Sequence, residues 1–197
     1  MKIGVLGGTF DPPHFGHLAI AKAALASLEL DEVLFMPVSR NPVKKNHKGT
    51  SPKHRLEMVK LLVADEEKMA VSDLEVTRGG VSYTVDTITE LQMAQPADYW
   101  FLLGADALQS IATWKQPERL VKLCRLGFVA RGTRVVEDVL IRIPADIRSQ
   151  VDHIEMPLID ISSSDLRNKL ARGQSVNPWI PEKVRDYIES NKLYKNL

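Results

Sequence analysis

The stretch GGTFDPPHFGH, residues 7–17, decides how the rest of the chain is read. It follows Lys2–Leu6, an apolar run of buried-strand type. It leads into Phe15–Leu30, where Leu18, Ala21, Leu25 and Leu28 recur at helical spacing. A glycine-rich turn from strand to helix is a ready seat for a phosphate. This one fits neither the dinucleotide fingerprint G-x-G-x-x-G nor the P-loop G-x-x-x-x-G-K-[ST]. Gly7-Gly8, without Cβ atoms, is expected to turn sharply and to let a ligand come close. Pro12-Pro13 fixes two φ angles and removes two donors, which makes a rigid loop rather than a lid. His14 and His17 fall three apart on the first helical turn, so their rings share one face at the end that carries free N–H groups. Spacing alone leaves an anion site, a metal pair and ordinary surface histidines open. No third ligand accompanies them, which disfavours a metal. The glycines, the prolines and the position after the first strand favour phosphate.

Outward from this loop, apolar runs and amphipathic stretches alternate. Glu32–Val38, Ala70–Leu74, Tyr99–Leu103, Leu126–Ala130 and Ile154–Pro157 read as further strands. His54–Asp65 (capped by Ser51-Pro52), Thr84–Ala94, Asp106–Trp114, a short helix from Pro117, Ser163–Ala171 and Pro181–Leu193 read as helices. Thr133–Gln150 shows no clear pattern. The alternation predicts an α/β fold: a Rossmann-like, doubly wound, mainly parallel sheet with helices on both faces. Ligands of such sheets bind beyond the carboxyl ends of the strands, where strand order reverses. One domain over residues 1–197 is expected, its C-terminal helical part beginning near residue 160.

Composition narrows the classes. With a net charge of +1, the chain as a whole is not built to bind nucleic acid, so an anion site must come from local clustering. The single Cys124 excludes an intramolecular disulfide and suits a reducing compartment. No run approaches the roughly 20 apolar residues of a membrane span. MKIGVLGG is too short and too soon broken by glycine for a signal peptide. A cytoplasmic protein without nucleic-acid or membrane partners is expected, and a homo-oligomer stays open. From Arg40 to Arg55 there are six Lys or Arg, two His and no acid. Such a run reads either as a solvated loop or, beside a triphosphate, as an electrostatic guide.

The motifs also carry a resemblance. GTFDPPHFGH resembles the T-x-x-x-H-x-G-H signature of the nucleotidyltransferase superfamily of α/β-phosphodiesterase type. ISSSDLR at 161–167 resembles its second signature, I-S-S-[ST]-x-[IL]-R. Taken alone, Ser162 and Asp165 also read as a simple capping box. SYTVDT (82–87), LLGADAL (102–108) with Trp114 downstream, FVARG (128–132) and SPKHRLEM (51–58) are similar to the bacterial nicotinate-mononucleotide adenylyltransferase family.

That resemblance implies transfer of the adenylyl group of ATP to nicotinate mononucleotide, with Mg2+ accompanying ATP and no metal held by the protein. It implies an ATP site of Gly7, Gly8, Thr9, Phe10, His14, Gly16 and His17, completed by Ile161, Ser162, Ser163 and Arg167. His14 would meet the α-phosphate and His17 the triphosphate, while Lys44 and Arg167 stabilise the leaving charge. Thr84, Gly104, Asp106, Trp114 and Arg131 would form the mononucleotide site, with Trp114 stacking on the pyridine and Asp106 facing ribose. The loop after the second strand reads Asn41-Pro42-Val43-Lys44 where family members often read Pro-Pro-His-Lys. The alternatives are a sibling transferase acting on nicotinamide mononucleotide or phosphopantetheine, and a non-catalytic nucleotide sensor.

Overall fold

The computed structural model describes residues 1–42, 49–130, 133–157, 159 and 161–195. Six strands form one parallel sheet: β1 Lys2–Gly8, β2 Glu32–Pro37, β3 Met69–Val71, β4 Asp98–Gly104, β5 Arg125–Val129 and β6 Val151–Ile154. Their order is β3-β2-β1-β4-β5-β6. The chain therefore winds one way from β1 and then returns to its other side with β4. That reversal opens a crevice beyond the carboxyl ends of β1 and β4. GGTFDPPHFGH lies at its mouth.

Both faces of the sheet are covered, so its strands are apolar on both sides. Period-two alternation sorts them: Ile3 and Val5 of β1, with Tyr99, Phe101 and Leu103 of β4, enter one core. Leu6 and Leu102 enter the other. On the Leu6 side pack α1 (Phe15–Ser27), α2 (Pro52–Val63), α9 (Ser163–Ala171) and α10 (Glu182–Ser190). On the Val5 side pack α4 (Thr84–Ala94), α5 (Ala105–Gln109), α6 (Pro117–Leu123), α7 (Thr133–Leu140) and α8 (Ala145–Arg148). A short α3 (Leu74–Arg78) follows β3. Among the described residues no helix is long and apolar enough to cross a membrane.

Several boundaries differ from the sequence expectation. α1 ends at Ser27, and Glu29 turns away with φ 51°. The stretch 106–114 is broken into α5 and a 3-10 turn, Ile111–Thr113. There the Ser110 hydroxyl donates to the Ala107 carbonyl and the Thr113 hydroxyl to the Ser110 carbonyl. Such local bonds compete with the helical ladder. The strand expected at 154–157 begins earlier, because Val151 pairs with Leu126, and Pro157 has no N–H to offer a ladder. β3 stops at Val71, where the Ser72 hydroxyl accepts the Leu74 N–H and starts α3. Thr133–Gln150 resolves into α7 and α8, with Val139, Ile143 and Ile147 buried four apart across the break at Pro144.

Candidate active site

The signature loop turns by a different device from the one the glycines suggest. β1 runs straight through Gly7 and Gly8. A Cβ on Gly7 would lie 2.7 Å from the Phe101 ring, and one on Gly8 would lie 2.9 Å from the Phe10 ring. The missing Cβ atoms make room for aromatic side chains, and neither glycine borders the cleft described below. The turn itself falls at Phe10, whose φ is 51°. A left-handed non-glycine costs about 1–2 kcal/mol. Burial of the Phe10 ring, 2% exposed, offsets that cost against Phe35 and the edge of His17.

The histidines stack, with ring centroids 3.9 Å apart. His14 is the N-cap of α1, and its backbone N–H donates to His17 Nδ1 at 3.2 Å. An accepting Nδ1 puts the neutral ring's proton on Nε2. His17 thus keeps a fixed tautomer with one N–H donor. Burial pushes His14 down to about 4. Burial and the neighbouring His14 hold His17 well below its ordinary value. Both rings are therefore neutral at pH 7, and His14 Nδ1 is buried with no hydrogen-bond partner among the described residues.

The second motif closes on the first. A Cβ on Gly16 would meet His14 Nδ1 at 2.9 Å and Ile161 Cγ2 at 3.0 Å, so only glycine lets the two segments approach this closely. Ser162 caps α9: its Oγ accepts the Asp165 N–H and donates to the Asp165 carboxylate. Ser163 Oγ donates to the Pro12 carbonyl at 2.9 Å. Both hydroxyls, expected on phosphate, are engaged within the protein, leaving the N-terminal end of α9 as the feature turned to the cleft. Arg167 donates to the Asp11 carbonyl and to Ser164 Oγ, which anchors its fork beside the histidines.

The result is a cleft of about 660 Å³. Thr9, Phe10, His14, Gly16, His17, Ile161, Ser162, Ser163 and Arg167 line it, with Gly104 from the end of β4 and Asp106 from the start of α5. Ile20, Val129, Met156, Pro157 and Ile159 line it as well, apolar residues that the motif reading missed. Only the position of Val129 at the end of β5 could have flagged one of them in advance. The cleft is thus lined by polar and apolar side chains together.

Two further groups hold the loop and were not recognised in the sequence. Arg55, counted above with the basic run, is 4% exposed and is no part of a solvated loop. Its guanidinium donates to the carbonyls of Thr9, Val38, Ser39 and Thr50. It clamps the turn after β1 to the turn after β2. Asp11, 1% exposed, accepts the Thr50 N–H and the Tyr194 hydroxyl. Lys44 and Val43, from the same basic run, lie outside the described residues.

The expected acceptor residues divide. Gly104 and Asp106 border the cleft, whereas Thr84 and Trp114 are half-buried to one side of it. Their neighbours are tied: Lys115 reaches both oxygens of Asp86, at 3.0 and 2.8 Å, and lies over the Tyr83 ring. The Trp114 indole N–H donates to Ser110 Oγ, and its ring meets the edge of Phe101. Arg131 lies outside the described residues. Among those described, no group of three or more His, Cys, Asp and Glu side chains could hold a metal.

A sheet reversed at β1 and β4, with two signature helices meeting over one cleft, defines a nucleotide-handling α/β protein. A model of the cytidylyltransferase-like family matches residues 5–169, and the chain belongs to that family. It is 45% identical to the Exiguobacterium sibiricum protein named "Probable nicotinate-nucleotide adenylyltransferase", over 98% of this chain and 99% of that one. A Shouchella clausii protein of the same name is 40% identical over 98% and 96%. Among solved structures, the Plasmodium falciparum nicotinic acid mononucleotide adenylyltransferase complexed with NaAD superposes with a TM-score of 0.79. That match covers 98% of this chain and 97% of the other at 23% identity, a likeness of fold.

Proposed function

We propose that this chain transfers the adenylyl group of ATP to nicotinate mononucleotide, giving nicotinate adenine dinucleotide and pyrophosphate in NAD biosynthesis. The observation that carries this reading is the meeting of the α1 and α9 N-termini over one cleft, with the stacked His14 and His17 between them. The full-length similarity to relatives of that name selects the acceptor. The cleft's form suits the reaction. The α1 and α9 N-termini supply donors for phosphates, and apolar lining residues such as Ile20, Val129 and Met156 would offer a surface for a base.

The mononucleotide's phosphate is already ionised at neutral pH, so the attack needs no base. One of its oxygens forms a bond to the α-phosphorus of ATP as the bond to the β-phosphate bridge breaks. Pyrophosphate departs with the bond pair. Catalysis is then alignment and stabilisation of charge. His17, neutral and held in one tautomer, offers its Nε2–H to developing negative charge. His14 lies beside it, while Arg167 and Lys44 take up charge on the leaving group. On this reading Asp106, in the cleft lining, would meet ribose hydroxyls, and Thr84 and Trp114, outside that lining, would meet the pyridine ring. Magnesium would arrive on the triphosphate, held by phosphate oxygens and water. The lining fits that arrangement: its carboxylates are Asp106 and Asp11, and Asp11 is already engaged by Thr50 and Tyr194.

The test is direct. Purified protein is incubated with ATP, magnesium and, separately, nicotinate mononucleotide, nicotinamide mononucleotide or phosphopantetheine, and products are separated by chromatography. Dinucleotide and pyrophosphate in equal amounts from the nicotinate compound support the reading. Product from phosphopantetheine alone, or none from any acceptor, would refute it.

A further inference from the structure

Asp11 is where segments remote in sequence meet. Its Oδ1 accepts the Tyr194 hydroxyl at 2.6 Å across 183 residues, and its Oδ2 accepts the Thr50 N–H at 3.2 Å. Its main-chain carbonyl accepts Arg167 at 2.7 Å, and the next carbonyl, of Pro12, accepts Ser163. The carboxylate therefore sets the orientation of a residue whose backbone docks α9 and its arginine. Three residues further on stands His14. Rotation of Asp11 would move Arg167 relative to the histidine pair.

Tyr194 is placed for this bond at some conformational cost. It is 7% exposed and sits at φ 66°, with Lys192 at φ 52°. Two non-glycine residues in the left-handed region turn the tail inward, a strain that persists only where the surroundings compensate it. Its ring belongs to the core beneath α1 and α2, and its oxygen also lies 4.0 Å from Met58 Sδ. Burial and Asp11 push the phenol's pKa up, so the hydroxyl stays protonated and donates.

We propose that Tyr194 is a positioning residue of the active site: through Asp11 it holds the signature loop and Arg167 in register. The C-terminal segment is thereby part of the catalytic apparatus, not only of the core. The kinetic arm of the test rests on the adenylyl-transfer reading, and the exchange arm does not.

Two variants separate positioning from stability. Tyr194→Phe keeps the ring and removes the donor. Leu193→Ala weakens the packing of the same tail and leaves the hydroxyl in place. Both are assayed at a temperature where circular dichroism shows them fully folded. Tyr194→Phe is expected to lower kcat about tenfold, since small misplacements of aligned groups are costly in rate. KM for the mononucleotide should change less than twofold. Amide hydrogen exchange at Thr9, Phe10, Asp11 and His14 should quicken about tenfold. Leu193→Ala is expected to lower Tm and change neither. Wild-type kcat and unchanged exchange in Tyr194→Phe would overturn the proposal, as would Leu193→Ala reproducing both effects. A wild type that transfers nothing would contradict the proposed function. The exchange comparison would then still decide the role of Tyr194.

Discussion

His17 commits one ring nitrogen to the protein, and the proposed reaction uses the other. Its Nδ1 accepts the His14 backbone N–H, which fixes the ring and leaves Nε2–H as a preset donor. Removing a preset donor of this kind costs about 10²–10³ in rate. His17→Ala should lower kcat by that factor while the protein stays folded, as stopped-time product assays and circular dichroism would show. A variant keeping more than half of wild-type turnover contradicts the assignment. His14 supplies a different test. Its folded pKa is depressed to about 4, so between about pH 4 and 6.5 the unfolded chain binds a proton that the folded protein does not. Stability therefore rises with pH across that window and is lost as pH falls through it, by about 3 kcal/mol in all. His17 contributes with the same sign. Urea unfolding between about pH 7 and 4.5 should give a shallower dependence for His14→Gln than for wild type. Equal slopes would mean that His14 is not buried as a neutral ring.

At the scale of elements, the turn after β1 depends on a clamp from α2. Arg55 satisfies four carbonyls that would otherwise be left in a water-poor corner. Unpaired buried acceptors cost about 1–3 kcal/mol each, though not additively. Arg55→Met should lower unfolding free energy by about 3 kcal/mol or more, and exposed Lys53→Met by less than about 0.5. Equal small losses in urea titrations would show that the clamp bears no weight. Charge counting could not have separated these two residues, because composition does not say which cation in a run turns inward. Apolar spacing did disclose β1, α1, β2, α4 and α9, and the Ser51-Pro52 cap disclosed α2. It failed at residues 106–114, where apolar spacing continues but the hydroxyls of Ser110 and Thr113 divert the backbone. It also misassigned the turn to Gly7-Gly8. Phe10 carries the positive φ, because a buried aromatic ring outweighs the local strain.

Over the whole molecule, the two motifs lie near opposite ends of the sequence and meet only because β1 stands at the centre of the sheet. Their residue types made that meeting legible in the sequence. The ties that secure it, from Ser163 to Pro12 and from Tyr194 to Asp11, span more than 150 residues and leave no local pattern. The proposed acceptor residues were legible only through resemblance, and the segments that carry Thr84 and Trp114 are tied by the Lys115–Asp86 pair. Backbone N–H groups near Thr84 and Trp114, if they hold the pyridine substituent as proposed, would suit a carboxylate and meet a carboxamide NH₂ with donor facing donor. The acid should then exceed the amide in kcat/KM by a factor on the order of 10². Trp114→Ala should lower both values and keep their ratio, since stacking does not read the substituent. Equal kcat/KM for the two mononucleotides in wild type would contradict this. The central claim is adenylyl transfer itself, and the most direct measurement follows ATP labelled at the α-phosphorus, with both mononucleotides present in equal amounts. Adenylyl transfer to the acid puts label in nicotinate adenine dinucleotide, none in pyrophosphate, and little in the amide product. Label released as free AMP or found chiefly in another adduct would contradict it.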